Sequence, residues 1–253
     1  MLSELPYFSA PRPRVLAHRG LATAAPENTL LAFAHALAVG VTHIETDVHA
    51  SSDGQAIIAH DPDLSRVAGR PQRVGDLTAR KLSQIDLGHG QHLPSLLEAL
   101  DAFPEARFNI DLKSAEAVAP TISAIAHARA VDRVLLTSFS ERRRRAALRQ
   151  LPQVATSASG PRFAAALLAT VIRGRPLVRA ALRGLHAVQI PPRAMGLDTV
   201  SPARIRAFHA AGVEVHVWTI NDEPDMRRLL ALGVDGIVTD RADVAMKVVN
   251  SLG

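Results

Sequence analysis

Eight short runs rich in β-branched residues recur along the chain, each separated from the next by a longer stretch rich in alanine and leucine. The runs are Val15–His18, His43–His49, Phe108–Lys113, Val134–Ser138, Val154–Ser157, Ala187–Ile190, Val213–Thr219 and Gly236–Thr239. Helical stretches between them include Thr29–Val39, Ala115–Ala130, Arg142–Leu151, Pro202–Ala211, Glu223–Leu232 and Asp243–Val249. Gly40 closes the first helix, and Ser201 with Pro202 opens a later one as cap and first helical residue. Strands joined through helices pair in parallel. Eight such units in 253 residues predict an α/β fold, the TIM (β/α)8 barrel. A doubly wound parallel sheet is the alternative arrangement of the same elements. The chain reads as one barrel domain over residues 1–253. Residues 51–94 break the rhythm: a second short strand (Gln55–His60), two Gly/Pro-rich turns and one short helix predict a small insertion after the second strand.

Composition narrows the chemistry. With 47% hydrophobic residues the chain can fill a large core, which excludes intrinsic disorder. Cysteine is absent, so disulfides, thiolate-ligated metals and thiol catalysis are excluded, and any metal must rest on carboxylates or histidines. The net charge of +5 comes almost wholly from arginine; these residues read as scattered and poor in aromatic neighbours, which predicts no nucleic-acid partner. Arg142–Arg145, the one run, reads as the solvated start of a helix. The N-terminal segment lacks the pattern of a signal peptide, and Phe163–Ile172, the longest uncharged apolar run, reads as a core helix too short to span a bilayer. A cytoplasmic protein is the expectation. Leu167–Leu185 mixes apolar residues with arginines and could lie on an anionic membrane, but a helix packed on the barrel with its arginines outward is the preferred reading.

Alternation within the strands locates a site. In the second run Ile44 and Val48 oppose Glu45 and Asp47; in the third, Ile110 and Leu112 oppose Asn109, Asp111 and Lys113. Apolar faces must meet the helices, so the charged sets point into the barrel, near the C-terminal strand ends where barrel enzymes carry their chemistry. Glu45, Asp47 and Asp111 then converge, and like charges that close call for a cation: a hard divalent ion such as Mg²⁺ or Ca²⁺, or ion pairs to arginines or Lys113. His18 and His60 can exchange protons near neutral pH, and Arg19 and Lys113 can hold an anion. Together these groups describe a site for a phosphate ester. Of the other histidines, His49, His89 and His92 read as loop residues near the site, and His216 as a hydrogen-bonded interior residue below Trp218.

Over nearly its whole length the chain resembles the glycerophosphodiester phosphodiesterase family. The resemblance rests on AHRGLATAAPENTLLAF, with His18-Arg19-Gly20 and Pro26-Glu27-Asn28-Thr29, and on IETDVHASSDGQAIIAHDPDLSR, with Glu45, Asp47, Asp53-Gly54 and His60-Asp61. VGDLTARKLSQIDLG, LPSLLEAL, FNIDLK, VHVWTIN and GVDGIVTDRAD follow in the family's order. It implies His18 and His60 as the acid/base pair, Arg19 and Lys113 on the phosphate, and Glu45, Asp47 and Asp111 on a Mg²⁺ or Ca²⁺ ion. Trp218 would line a glycerol pocket, and Glu27 and Asn28 would shape the first loop. The implied reaction is metal-dependent hydrolysis of glycerophosphodiesters to glycerol 3-phosphate and an alcohol. Cleavage of lysophospholipid or sphingolipid head groups, or phosphate-ligand binding without turnover, are the alternatives. Asp111 departs from the family's more frequent Glu.

Overall fold

The computed structural model describes residues 5–172 and 174–252. Residues 1–4, at the head of the N-terminal segment, and Arg173, within Leu167–Leu185, lie outside them. The eight expected strands form at β1 (Arg14–His18), β2 (His43–Ala50), β3 (Arg107–Leu112), β4 (Val134–Thr137), β5 (Ala155–Thr156), β6 (Ala187–Ile190), β7 (Glu214–Val217) and β8 (Gly236–Thr239). All pair in parallel, in the order β5-β4-β3-β2-β1-β8-β7-β6. A single parallel bridge, Ser157 to Ala187, joins the two edges into a nearly closed barrel. The doubly wound alternative is thereby excluded.

Strand alternation sets what lies outside and inside. Ile44, Val48, Phe108, Ile110, Leu112, Val134 and Leu136 are wholly buried in one apolar layer with Phe33 of the helix Leu30–Ala38. Each such side chain contributes about 1.5–3 kcal/mol by leaving water. The other half of the barrel is packed in the same way, around Val188, Val215, Val217 and Phe208. Helix starts are capped by side chains as their residue types dictate: Thr29 accepts from Ala32 N–H, Ser95 from Glu98 N–H, and Ser201 from Arg204 N–H. Each cap is worth about 1 kcal/mol.

The insertion forms as a strand, Ala56–Ile58, antiparallel to the end of β2, followed by helical turns at Ser65–Ala68 and Ala79–Leu82. It has its own apolar cluster of Ile57, Leu64, Val74, Leu82, Ile85 and Leu93. Its strand ends two residues before His60, which is carried to the mouth of the barrel.

Two sequence expectations change. Phe163–Val171 lies within a helix, Gly160–Val171, capped by Ile172, but only Ala166, Leu167 and Ala169 of that helix are buried, while Leu168, Val171 and Ile172 are exposed. In the helix Glu141–Leu148, Arg144 is buried and forms a forked ion pair with Glu141, so the arginine run is only partly solvated.

Candidate active site

Register places the inward groups in rows across neighbouring strands. His18 lies beside Glu45, which lies beside Asn109; one layer higher Asp47 lies beside Asp111 and Asp111 beside Thr137. Lys113 and Trp218 are the first residues past β3 and β7. All of these residues line a cavity of about 400 Å³ at the C-terminal end of the barrel, together with Arg19 and His60.

The turn after β1 requires its sequence. Arg19 adopts φ 57° and Gly20 φ 85°, and a Cβ on Gly20 would stand 2.7 Å from the Ala32 carbonyl carbon. Only glycine fits that approach. The turn sends the Arg19 side chain over β2, where its Nε is 3.3 Å from Asp47 Oδ2 and its Nη1 donates to Glu27 at 3.0 Å. Asn28, also left-handed, donates to Asp47 at 3.4 Å and accepts from Thr46 at 2.7 Å. Glu27 and Asn28 do not line the main cavity; they brace Arg19 and Asp47 from behind.

Each candidate acid/base histidine is anchored through Nδ1 by an aspartate. His18 meets Asp240 at 2.6 Å, and His60 meets Asp61 at 2.7 Å. With a carboxylate as acceptor, Nδ1 carries the hydrogen and Nε2 is left for chemistry. Burial disfavours the His18 imidazolium, but the Asp240 hydrogen bond and the Glu45 charge outweigh it and raise its pKa above the ordinary value. Asp240 is itself fixed by Asn221, which donates to its Oδ2 at 2.8 Å and accepts from its backbone N–H at 2.9 Å. Asp61 is held by Arg66 of the insertion at 2.6 Å, and the same guanidinium forks onto Glu27 at 2.7 and 2.9 Å. An ionic chain thus runs from His60 through Asp61, Arg66 and Glu27 to Arg19.

The carboxylates are poorly matched. Lys113 Nζ bridges Asp47 at 2.7 Å and Asp111 at 2.8 Å. Burial disfavours its charge, yet these two neighbours raise its pKa. Glu45 Oε2 and Asp111 Oδ1 are buried without a hydrogen-bond partner. Burial first, then the Asp47 charge, raises the Glu45 pKa, and burial raises that of Asp111 against the pull of Lys113. Among the described residues no three carboxylate or histidine side chains stand close enough together to ligate one ion as arranged. The donor set nonetheless fits a hard cation: three carboxylates on adjacent strands, two of them with an orphaned oxygen.

Sequence reasoning missed Asp240, Asn221 and Arg66, and it missed the apolar wall. Phe139, Phe163, Pro191 and Ala194 line the cavity opposite the charges, with Phe139 edge-on to Trp218 at 6.2 Å between ring centroids. Asp240 follows β8 directly, and its place at a strand end was the available signal. Of the histidines read as near the site, His49 lies within β2, where Nε2 is 3.2 Å from the His60 carbonyl oxygen, and none of His49, His89 and His92 lines the cavity. His216 is fully buried with its Nε2 on Glu214.

Comparison with known proteins gives the family and supports the fold. Residues 18–244 match the Glycerophosphoryl diester phosphodiesterase family. A curated relative, probable glycerophosphodiester phosphodiesterase 2 of Mycobacterium tuberculosis, is 44% identical over 94% of this chain and 91% of its own length. A solved structure from Silicibacter pomeroyi DSS-3 superposes with a TM-score of 0.83 at 25% identity, covering all of this chain and 98% of the other. A phosphodiesterase from Oleispira antarctica, solved with the product sn-glycerol-3-phosphate, gives a TM-score of 0.78 at 25% identity over 94% of this chain and 97% of that one.

Proposed function

The chain belongs to the glycerophosphoryl diester phosphodiesterase family, and we propose that it hydrolyses glycerophosphodiesters to glycerol 3-phosphate and an alcohol at this cavity. The observation that carries the reading is the pairing of His18 and His60, each locked through Nδ1 by an aspartate, across a cavity that also holds Arg19 and Lys113.

The chemistry follows from these groups. Arg19 and Lys113 supply positive charge to the phosphate, fixing it and offsetting the charge that grows on its oxygens. One histidine takes the proton of the attacking hydroxyl as the new P–O bond forms: attack by water gives glycerol 3-phosphate directly, and attack by the glycerol 2-hydroxyl gives a cyclic phosphate that water then opens. The other gives a proton to the departing alkoxide as the old P–O bond breaks. Glu45, Asp47 and Asp111 would hold a divalent ion, Mg²⁺ or Ca²⁺, which when bound neutralises and polarises the phosphate. Trp218 and the apolar wall enclose the organic part of the substrate. That wall favours a second reading, in which the alcohol bears an apolar chain, as in a lysophospholipid.

The test is release of glycerol 3-phosphate from glycerophosphocholine, with EDTA and after Mg²⁺ or Ca²⁺ is restored. Turnover that EDTA abolishes and metal restores is expected. Activity indifferent to EDTA would refute the three-carboxylate metal site. No product from any diester with any metal would leave a phosphate-binding barrel.

A further inference from the structure

The arginines that read as scattered are in fact polarised. Residues 142–197 hold eleven of the 29 basic residues and none of the 24 acidic ones, which leaves the rest of the chain with 18 basic against 24 acidic residues. Within this stretch the helix Gly160–Val171 and the helix Arg175–Leu182 pack against each other as a hairpin. Glu141, just outside the stretch, pairs with Arg144, Arg145 and Arg162. Arg175, Arg179 and Arg183, spaced four apart, are exposed, as is Arg193, and none has a carboxylate partner among the described residues.

The same hairpin is apolar where a surface helix should be polar. Pro161, Ala165, Leu168 and Ile172 repeat at helical spacing on the exposed face of the first helix. Leu168, Val171, Ile172 and Leu177 make up half of the eight large apolar side chains exposed among the described residues. Ile172 and Leu177 meet at the tip, both within 3.5 Å of the point where a Cβ on Gly174 would stand. The patch is also continuous with the catalytic mouth. Gly160 and Phe163, in the first turn of the hairpin, line the cavity; Phe139, 61% exposed, lines it from the next loop. The far end of that helix is tied to the rim, because Arg204 reaches both Thr170 and the Asp198 carbonyl.

We propose that the 160–183 hairpin docks this barrel on an anionic bilayer, with Leu168, Val171, Ile172 and Leu177 in the interface and Arg175, Arg179 and Arg183 on the lipid head groups. Charge complementarity selects that occupant: exposed arginines without a carboxylate partner among the described residues, one of them bonded only to the Ala210 carbonyl, accompany an apolar tip, the composition of an interfacial helix. A nucleic acid would use the arginines and leave the tip without a role. Among the described residues no helix is long and apolar enough to cross a membrane, so the contact is peripheral. Docking holds the cavity mouth against the surface, independently of which diester is cleaved.

The experiment is co-sedimentation of the full chain with vesicles at physiological salt, comparing phosphatidylcholine alone with an equal mixture of phosphatidylcholine and phosphatidylglycerol. The wild-type protein is expected to sediment with the mixture and stay in solution with phosphatidylcholine. Each arginine neutralised among Arg175→Gln, Arg179→Gln and Arg183→Gln weakens binding about fivefold. Ile172→Glu with Leu177→Glu abolishes it while turnover of soluble glycerophosphocholine is unchanged, which certifies the fold. No binding by the wild type, or wild-type binding by the Ile172→Glu, Leu177→Glu variant, overturns the proposal. So does a dimer in solution that this variant dissociates while wild type ignores vesicles, since a second copy then covers the patch.

Discussion

Both ends of the barrel bury charge, and they do it in opposite ways. At the N-terminal end Arg14 and Glu214, each 4% exposed, meet in a forked pair at 2.9 and 2.9 Å. Arg14 also donates to the carbonyls of Phe8 and Ala10, and Glu214 accepts from His216. Asp235 is similarly engaged, by Arg12, His209 and the Val215 N–H. At the C-terminal end Glu45 and Asp111 each keep a buried oxygen without a partner, and one lysine serves two aspartates. The pKa directions follow. Burial alone would raise Glu214, but His216 and Arg14 outweigh it and bring it down to about 2, whereas burial and like charge raise Glu45. One end is closed by charge that the fold itself satisfies. The other holds charge that the fold leaves poorly matched, which is the structural mark of a candidate site.

This contrast predicts that substitutions at the mouth remove activity and spare stability, with the reverse at the floor. The largest effect belongs to the histidines: His18→Ala and His60→Ala each lower kcat by about 10²–10⁴-fold with the melting temperature retained. Steady-state assays beside thermal melts check this, and near-wild-type turnover in either variant would sink the acid/base assignment.

At the floor, Arg14→Ala strands a buried carboxylate and is expected to cost about 3–5 kcal/mol of stability in denaturant titrations. The surviving folded fraction should retain normal kcat. Since the folded-state pKa of Glu214 lies below its ordinary value of 4.5, its contribution is full above that value and fades as pH falls toward 2. That contribution is about 3 kcal/mol, so Glu214→Gln should flatten the acid limb of the stability profile. An unchanged acid limb would contradict the contrast.

The smallest effect sharpens the boundary. Asp240→Asn preserves shape but lets Nδ1 of His18 lose its hydrogen, and kcat should fall about 10–100-fold with KM little changed. A loss of substrate affinity at constant kcat would instead assign Asp240 to binding.

Much of this was legible in the sequence, for one physical reason. Period-two alternation is strict in a strand, so Glu45, Asp47 and Asp111 could be placed inside the barrel from Ile44, Val48, Ile110 and Leu112 alone. Side chains that act across long separations carry no such periodicity. Asp240 reaches His18 across 222 positions, and Arg66 reaches Glu27 across 39. The core reading of Phe163–Ile172 fails for a related reason: apolar content identifies a helix that wants cover, but only packing shows that Leu168 and Ile172 lie on the uncovered face.

The register of Asp47 opposite Asp111 also bounds how such a site can diverge. Slipping β3 by one residue would turn Asp111 toward the helices and bring Ile110 inside. A slip of two would restore the face but carry Asp111 out of the row that it shares with Asp47 and Thr137. Gradual divergence is therefore confined to side-chain length at fixed positions. An aspartate in place of a glutamate at position 111 is the kind of variation that the frame tolerates, and a migrating carboxylate is not.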